Sequence, residues 1–181
     1  PRPAQLAVLI AFATCGALVV SATQDLLLML FGLEILAVAG YAAVAAGDSR
    51  RSHEAAMKYF VQGSVATALF LLGLTLVAVL EGGLPSVGSL SAVLTAFGGP
   101  GAIALMLLVV AALSIKAGAA PFHWWAPDAY EAAPSAAAAV LAGPAKLVIV
   151  TACAGLAIGG LPIERAGSLS AAPAASVVAI V

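Results

Sequence analysis

Charge is what this sequence has least of. Lys and Arg number 7 and Asp and Glu 8, together 8% of the 181 residues, against 64% apolar residues. A soluble domain carries about a quarter of its residues charged, so a water-facing surface is excluded. With a mean hydropathy of +1.16 the chain reads as a polytopic membrane protein. No basic run is present to neutralise phosphates, which excludes nucleic acid as a partner. Cysteine is scarce too: Cys15 and Cys153 lie in apolar stretches and behave as small hydrophobes, with no disulfide or thiolate metal set to build. A dinucleotide-binding glycine fingerprint, iron–sulfur cysteines and paired haem histidines are all missing. The chain is therefore expected to hold no cofactor and no redox or catalytic centre of its own.

What is present is a series of apolar stretches. A hydrocarbon core of ~30 Å needs about 20 such residues per helix, and five complete spans meet that length, at about 4–22, 25–46, 55–80, 101–127 (broken near Pro121) and 134–158. A further span begins at 174–181. The fold class is all-α, a single membrane domain packed as a helix bundle, with small residues in every span favouring close approach. The chain opens Pro-Arg-Pro without Met and stops inside an apolar stretch, so it reads as an internal piece of a longer protein. Leu6 to Val20 is accordingly a membrane helix rather than a signal peptide.

Loop charge sets the orientation. Arg50 and Arg51 place the connection 47–54 on the cytoplasmic side by the positive-inside rule, and 126–134 returns to that side. Residues 82–99, without Lys or Arg, lie outside; Leu90 to Phe97 within them is too short to span and reads as a surface helix. A second outer connection, 159–173, carries Glu164 and Arg165.

Three charges fall well inside spans, away from their ends: Glu34 near the middle of the second, Lys116 in the fourth and Lys146 in the fifth. A lysine at mid-membrane costs roughly 2.5 to 3.5 kcal/mol on insertion scales, so each needs a partner or a wet pocket. Glu34 is the one mid-membrane anion available, and the expectation is that it meets Lys116 directly or through one water. Pro121 lacks an amide donor and breaks or kinks the helix beside Lys116, while Gly143-Pro144 invites a kink beside Lys146. The other charges have simpler readings beside the functional ones. Asp25 suits a helix N-terminus. Lys58 either extends its stem to the interface or takes up protons. His123, beside Trp124 and Trp125, is either an interfacial ring or a relay; the Trp pair belongs at headgroup level. Asp128, Tyr130 and Glu131 form the turn before the fifth span.

The run Lys116-Ala-Gly-Ala-Ala-Pro-Phe-His-Trp-Trp-Ala-Pro-Asp-Ala-Tyr-Glu-Ala-Ala-Pro134, followed by Ala145-Lys146, resembles the antiporter-like membrane subunits of proton-pumping NADH:quinone oxidoreductase, respiratory complex I. The Asp-Ala-Tyr-Glu wording and the lysine of the fifth span are most similar to subunit N. Gly32-Leu33-Glu34-Ile35-Leu36 and Glu54-Ala-Ala-Met-Lys-Tyr-Phe60 resemble two further stretches of that family in order and spacing. One departure is Glu131-Ala132-Ala133-Pro134-Ser135, where the family usually has Gly-Ala-Pro or Gly-Pro-Thr-Pro.

The resemblance implies two inverted five-helix repeats, each with one broken helix, of which this chain is similar to the first. It implies a proton-transfer chain of Glu34, Lys116 and Lys146, with Lys58 near the cytoplasmic end, in a multi-pass protein of the bacterial cell membrane. Redox chemistry in other membrane-complex subunits would drive it, with lipid, protons and buried water as the remaining partners. Two other functions stay open: an Mrp-type cation/proton antiporter or membrane hydrogenase subunit, which shares these motifs, and a structural membrane scaffold in which the buried ion pair only fixes helix register.

Overall fold

The computed structural model describes residues 3–97 and 99–160. The 161–173 part of the second outer connection and the sixth span expected at 174–181 lie outside them. Within the described residues the chain forms α1 (Pro3–Ala22), α2 (Leu26–Ala45), α3 (Arg50–Glu81), α4 (Val87–Phe97), α5 (Gly99–Ala117), α6 (Trp125–Ala132), α7 (Ser135–Ala142) and α8 (Pro144–Gly160). Five segments are long and apolar enough to cross a membrane: α1, α2, α3, α5 from Pro100, and α7 with α8 as Ser135–Leu156. The all-α membrane bundle expected from composition is the architecture found.

Local chemistry explains where the helices start. Asp25 caps α2, accepting from the amides of Leu27 at 2.7 Å and Leu28 at 3.0 Å, as a carboxylate at a helix N-terminus should. The third helix begins at Arg50 rather than near Ala55. Ser49 is extended and its hydroxyl accepts from the Ser52 amide at 3.0 Å, so the Arg-rich stretch expected as loop is mostly the first turns of α3. At 1.5 Å per residue its 32 residues run about 48 Å, longer than a hydrocarbon core of ~30 Å.

The fourth span breaks earlier than Pro121. Gly118, at φ 64°, donates to Ile115 O at 3.1 Å and Ala119 donates to Ser114 O at 2.9 Å. This pair of bonds is the Schellman closure of a helix C-terminus, so α5 ends at Ala117 and the chain resumes helix only at Trp125. Asp128, Tyr130 and Glu131 lie on the short helix α6 and not in a turn. In the fifth span the kink falls at Gly143, whose φ −103° and ψ −95° interrupt the helix. Pro144 then opens α8 at the position where its missing amide costs least.

The segment expected as a surface helix, α4, is docked instead. Val87, Leu90 and Val93 are buried in the main core with Leu33, Phe70, Leu105 and Ile149. Its entrance is tied to the α1–α2 link by Leu26 N–H to Pro85 O and Val87 N–H to Gln24 O, both 3.0 Å. A second core cluster joins Val44, Ala55, Trp125, Ala129 and Leu141. Between α1 and α2 the backbones nearly touch: a Cβ on Gly16 would lie 2.7 Å from Gly32 O. At one end of the bundle Ser52 donates to Ala132 O at 2.9 Å and Arg51 pairs with Glu131 at 2.6 Å, so 47–54 and 126–134 share that end.

Candidate functional site

Three helices converge on one charge pair. Glu34 stands mid-way along α2, Thr67 mid-way along α3, and Lys116 in the last turn of α5. Lys116 Nζ donates to Glu34 Oε1 at 2.6 Å and to Thr67 Oγ1 at 3.2 Å, and Thr67 donates to the same carboxylate oxygen at 2.5 Å. The lysine side chain is 5% exposed and the glutamate side chain 31%. The expected approach of Glu34 and Lys116 is thus direct. An ammonium so deeply buried is tolerable because a carboxylate and a hydroxyl both meet it.

Lys146 has a different environment. Its Nζ donates to Ala117 O at 2.5 Å and lies 4.6 Å from the centre of the Trp125 ring and 5.8 Å from that of Tyr130. Ala117 is the last residue of α5, where the helix dipole is negative, and the ring faces carry negative potential toward a cation. The early break at Gly118 therefore has a purpose in the geometry: it leaves a free carbonyl and a helix C-terminus within reach of Lys146. A Cβ at Gly118 would sit 3.0 Å from that Nζ and 3.3 Å from the Trp125 ring, so any other residue there makes the lysine nitrogen give way by a few tenths of an ångström.

Between the lysines lies a cavity of about 20 Å³, lined by Lys116, Lys146, Tyr41, Tyr59, Trp125 and Leu141 among others. That is room for one water. Trp125 forms one wall. It is 2% exposed, donates from its indole N–H to Ile115 O at 3.1 Å and stacks on Tyr59 at 4.2 Å between centroids. Tyr59 meets Tyr41 edge-to-face at 4.5 Å. The Trp pair expected at headgroup level is thereby divided, since Trp124 is 53% exposed and Trp125 is core.

The remaining predicted residues lie elsewhere. Lys58 Nζ bridges Glu54 at 2.9 Å and Asp128 at 2.8 Å, joining α3 to α6. The hydrogen bond and charge of Lys58 hold the Asp128 carboxyl below its ordinary range. Burial raises the Tyr130 hydroxyl. His123 is exposed in the link before α6 and does not line the cavity between the lysines. Among the described residues no three His, Cys, Asp or Glu side chains converge on a point where a metal ion would be held, and no buried side-chain nitrogen or oxygen lacks a partner.

Thr67, Trp125, Tyr59 and Tyr41 are site residues that sequence reasoning did not single out. The signal for Thr67 was present, as a hydroxyl in the middle of an apolar helix. For the aromatic residues no periodicity distinguishes a cavity wall from an ordinary core face.

The family described as NADH:quinone oxidoreductase/Mrp antiporter, TM, matches residues 23–164. NADH-quinone oxidoreductase subunit N of Rubrobacter xylanophilus is 37% identical over 164 residues, covering 88% of this chain and 33% of that protein. The chain thus spans about a third of the length of such relatives. Among solved structures, respiratory complex I from Thermus thermophilus matches with TM-score 0.71 at 32% identity, over 83% of this chain and 34% of that one. The membrane-bound sulfane sulfur reductase, an archaeal respiratory membrane complex, matches with TM-score 0.74 at 29% identity, over 82% and 30%. With a family match over most of its length and the buried glutamate–lysine pair where the motifs put it, the chain belongs to the NADH:quinone oxidoreductase/Mrp antiporter family of membrane proteins.

Proposed function

We propose that this chain is the proton-conducting segment of an antiporter-like subunit, subunit N in type, of a respiratory NADH:quinone oxidoreductase. Redox chemistry in partner subunits drives it, and Glu34, Lys116 and Lys146 carry the proton. The observation that supports this most is the asymmetry of the lysines. Lys116 has a carboxylate partner, whereas Lys146 is held by a carbonyl and two ring faces, across a cavity the size of one water.

The steps follow from electrostatics. While Glu34 is ionised, the pair is neutral as a whole and Lys116 keeps its proton. When Glu34 is protonated or drawn away, an unpaired ammonium remains in apolar surroundings, at a cost of several kcal/mol. The proton then leaves Nζ of Lys116, crosses by the water, and converts the neutral amine of Lys146 to an ammonium against the C-terminus of α5, which passes the proton onward before the next one arrives. Restoring the Glu34 carboxylate draws a new proton onto Lys116. Residues 47–54 and 126–134 face the cytoplasm in a bacterial cell membrane, and the Lys58–Asp128–Glu54 cluster at that end is a point of proton uptake. His123 serves as an exposed ring at that face.

A second reading, favoured by the Mrp antiporter named in the description of the matching family, is that the same pair drives cation/proton exchange. In the full-length subunit within its complex, Glu34→Gln and Lys116→Ala should each lower the protons moved per electron pair several-fold, independently of Na⁺. Flux that follows Na⁺ selects the exchange reading. Flux unchanged in both variants leaves only a scaffold.

A further inference from the structure

Thr67 Oγ1 lies within hydrogen-bond distance of three groups at once: Glu34 Oε1 at 2.5 Å, Gly63 O at 2.9 Å and Lys116 Nζ at 3.2 Å. A hydroxyl has one hydrogen and two lone pairs, so it cannot donate to Glu34 and to Gly63 together. It can accept from Lys116 while its hydrogen serves either oxygen. We propose that Thr67 is a positioning residue of the Glu34–Lys116 pair, a rotor whose hydrogen points at Glu34 while the pair is charged and turns to the Gly63 carbonyl when it discharges. This rests on the proton-transfer reading of that pair.

An ionised carboxylate only accepts hydrogen bonds, and Oε1 of Glu34 receives both Lys116 and Thr67. Once Glu34 is protonated it carries a hydrogen of its own and can donate it to Thr67 Oγ1. The Thr67 hydrogen must then find another acceptor, and the carbonyl one helical turn back is already in place, the ordinary back-bond of a helical threonine. The change is a rotation about the Cβ–Oγ1 bond. No heavy atom moves, so both charge states share one packing of α2, α3 and α5. The packing around the rotor is closed. A Cβ on Gly63 would collide with the Tyr41 hydroxyl, and the β-branch of Thr67 limits χ1 in a helix, so the oxygen stays between its three partners. Serine retains the hydroxyl; valine keeps the shape and loses it.

The test compares Thr67→Val, Thr67→Ala and Thr67→Ser in the full-length subunit of the assembled complex, reconstituted in vesicles, with Glu34→Gln as reference. Protons moved per electron pair and the thermal stability of the complex are both read. Val and Ala should lower the proton ratio by roughly threefold or more, the scale of one net hydrogen bond, and Ser should restore it at unchanged stability. If Val does not assemble, Ala carries the comparison, since it adds no volume. Wild-type pumping in Val and Ala, with Glu34→Gln impaired, overturns the rotor and spares the proton-transfer reading. Loss in Ser equal to that in Val and Ala also overturns it, because shape and not the hydroxyl would then matter. Glu34→Gln without effect removes the underlying reading itself.

Discussion

Lys116 and Lys146 share the C-terminal end of α5, and the difference between their partners governs what each substitution should do. Replacing Lys116 alone leaves Glu34 with only Thr67, and breaking a buried pair from one side costs about 3–5 kcal/mol. Replacing Lys146 removes an amine whose partners are a carbonyl and ring faces, none of which is charged. Lys146→Met should therefore abolish proton movement while lowering thermal stability less than Lys116→Met does; the reverse order would contradict the assignment of partners. Trp125→Phe retains a ring beneath Lys146 and leaves Ile115 O with the Gly118 amide alone, at a cost of about 1 kcal/mol, one net hydrogen bond, read as a slightly lower melting temperature with proton movement retained. At the rim, the lowered Asp128 carboxyl works in one direction only. A depressed folded value means its tie to Lys58 is fully present above the ordinary carboxylate range and is lost as pH falls through the folded value. Asp128→Asn should thus lower stability slightly at neutral pH, only slightly because the pair is largely exposed, and leave the acid end, where the tie is already lost, unchanged. Of these residues Glu34, Lys116 and Lys146 were legible as buried charges needing partners. Thr67 is not singled out and Trp125 is expected at headgroup level, because which hydroxyl and which indole meet the charges is set by helix packing that sequence spacing does not encode.

At the level of elements, the breaks matter more than the helices. The sequence placed the interruption of the fourth span at its proline, on the argument that proline removes a donor. Gly118 ends the helix first, by taking the left-handed conformation that closes α5. Alanine there pays about 1 kcal/mol in backbone strain and also pushes its Cβ against Lys146 Nζ and the Trp125 ring. Gly118→Ala should therefore impair both stability and proton movement, whereas Gly82→Ala, equally left-handed but with nothing near its Cβ, should cost stability alone. Equal functional loss in both would detach the break from Lys146. Caps behave as independent local units: Asp25→Ala and Ser49→Ala should each cost about 1 kcal/mol without changing the proton ratio. The third helix was read as starting late because its first turns are charged. Hydropathy marks where a helix enters lipid, and Ser49 marks where the helix itself begins.

For the whole molecule, composition and span length were enough for the class and for the five long apolar helical segments among the described residues, and the buried charges were enough to indicate which helices must meet. Docking of α4 into the core was not legible, since eleven residues too short to cross look alike whether they float at a surface or fill a gap. The two ends of the bundle are fixed by the Asp25–Ser86 bridge on one side and the α3–α6 ties on the other. With Cys15 and Cys153 replaced, an impermeant thiol reagent should reach a cysteine at His53 only from the cytoplasm and one at Leu84 only from outside; the opposite pattern would invert the topology. The account stands on Glu34 and Lys116 acting as one unit, and residues that act as a unit lose function non-additively. The most direct measurement is the proton ratio of the assembled complex in a double-mutant cycle of Glu34→Gln and Lys116→Met. If the pair is the conducting unit, the double variant loses no more than the worse single variant. Losses that multiply, or a double variant that pumps like the wild type, would contradict it.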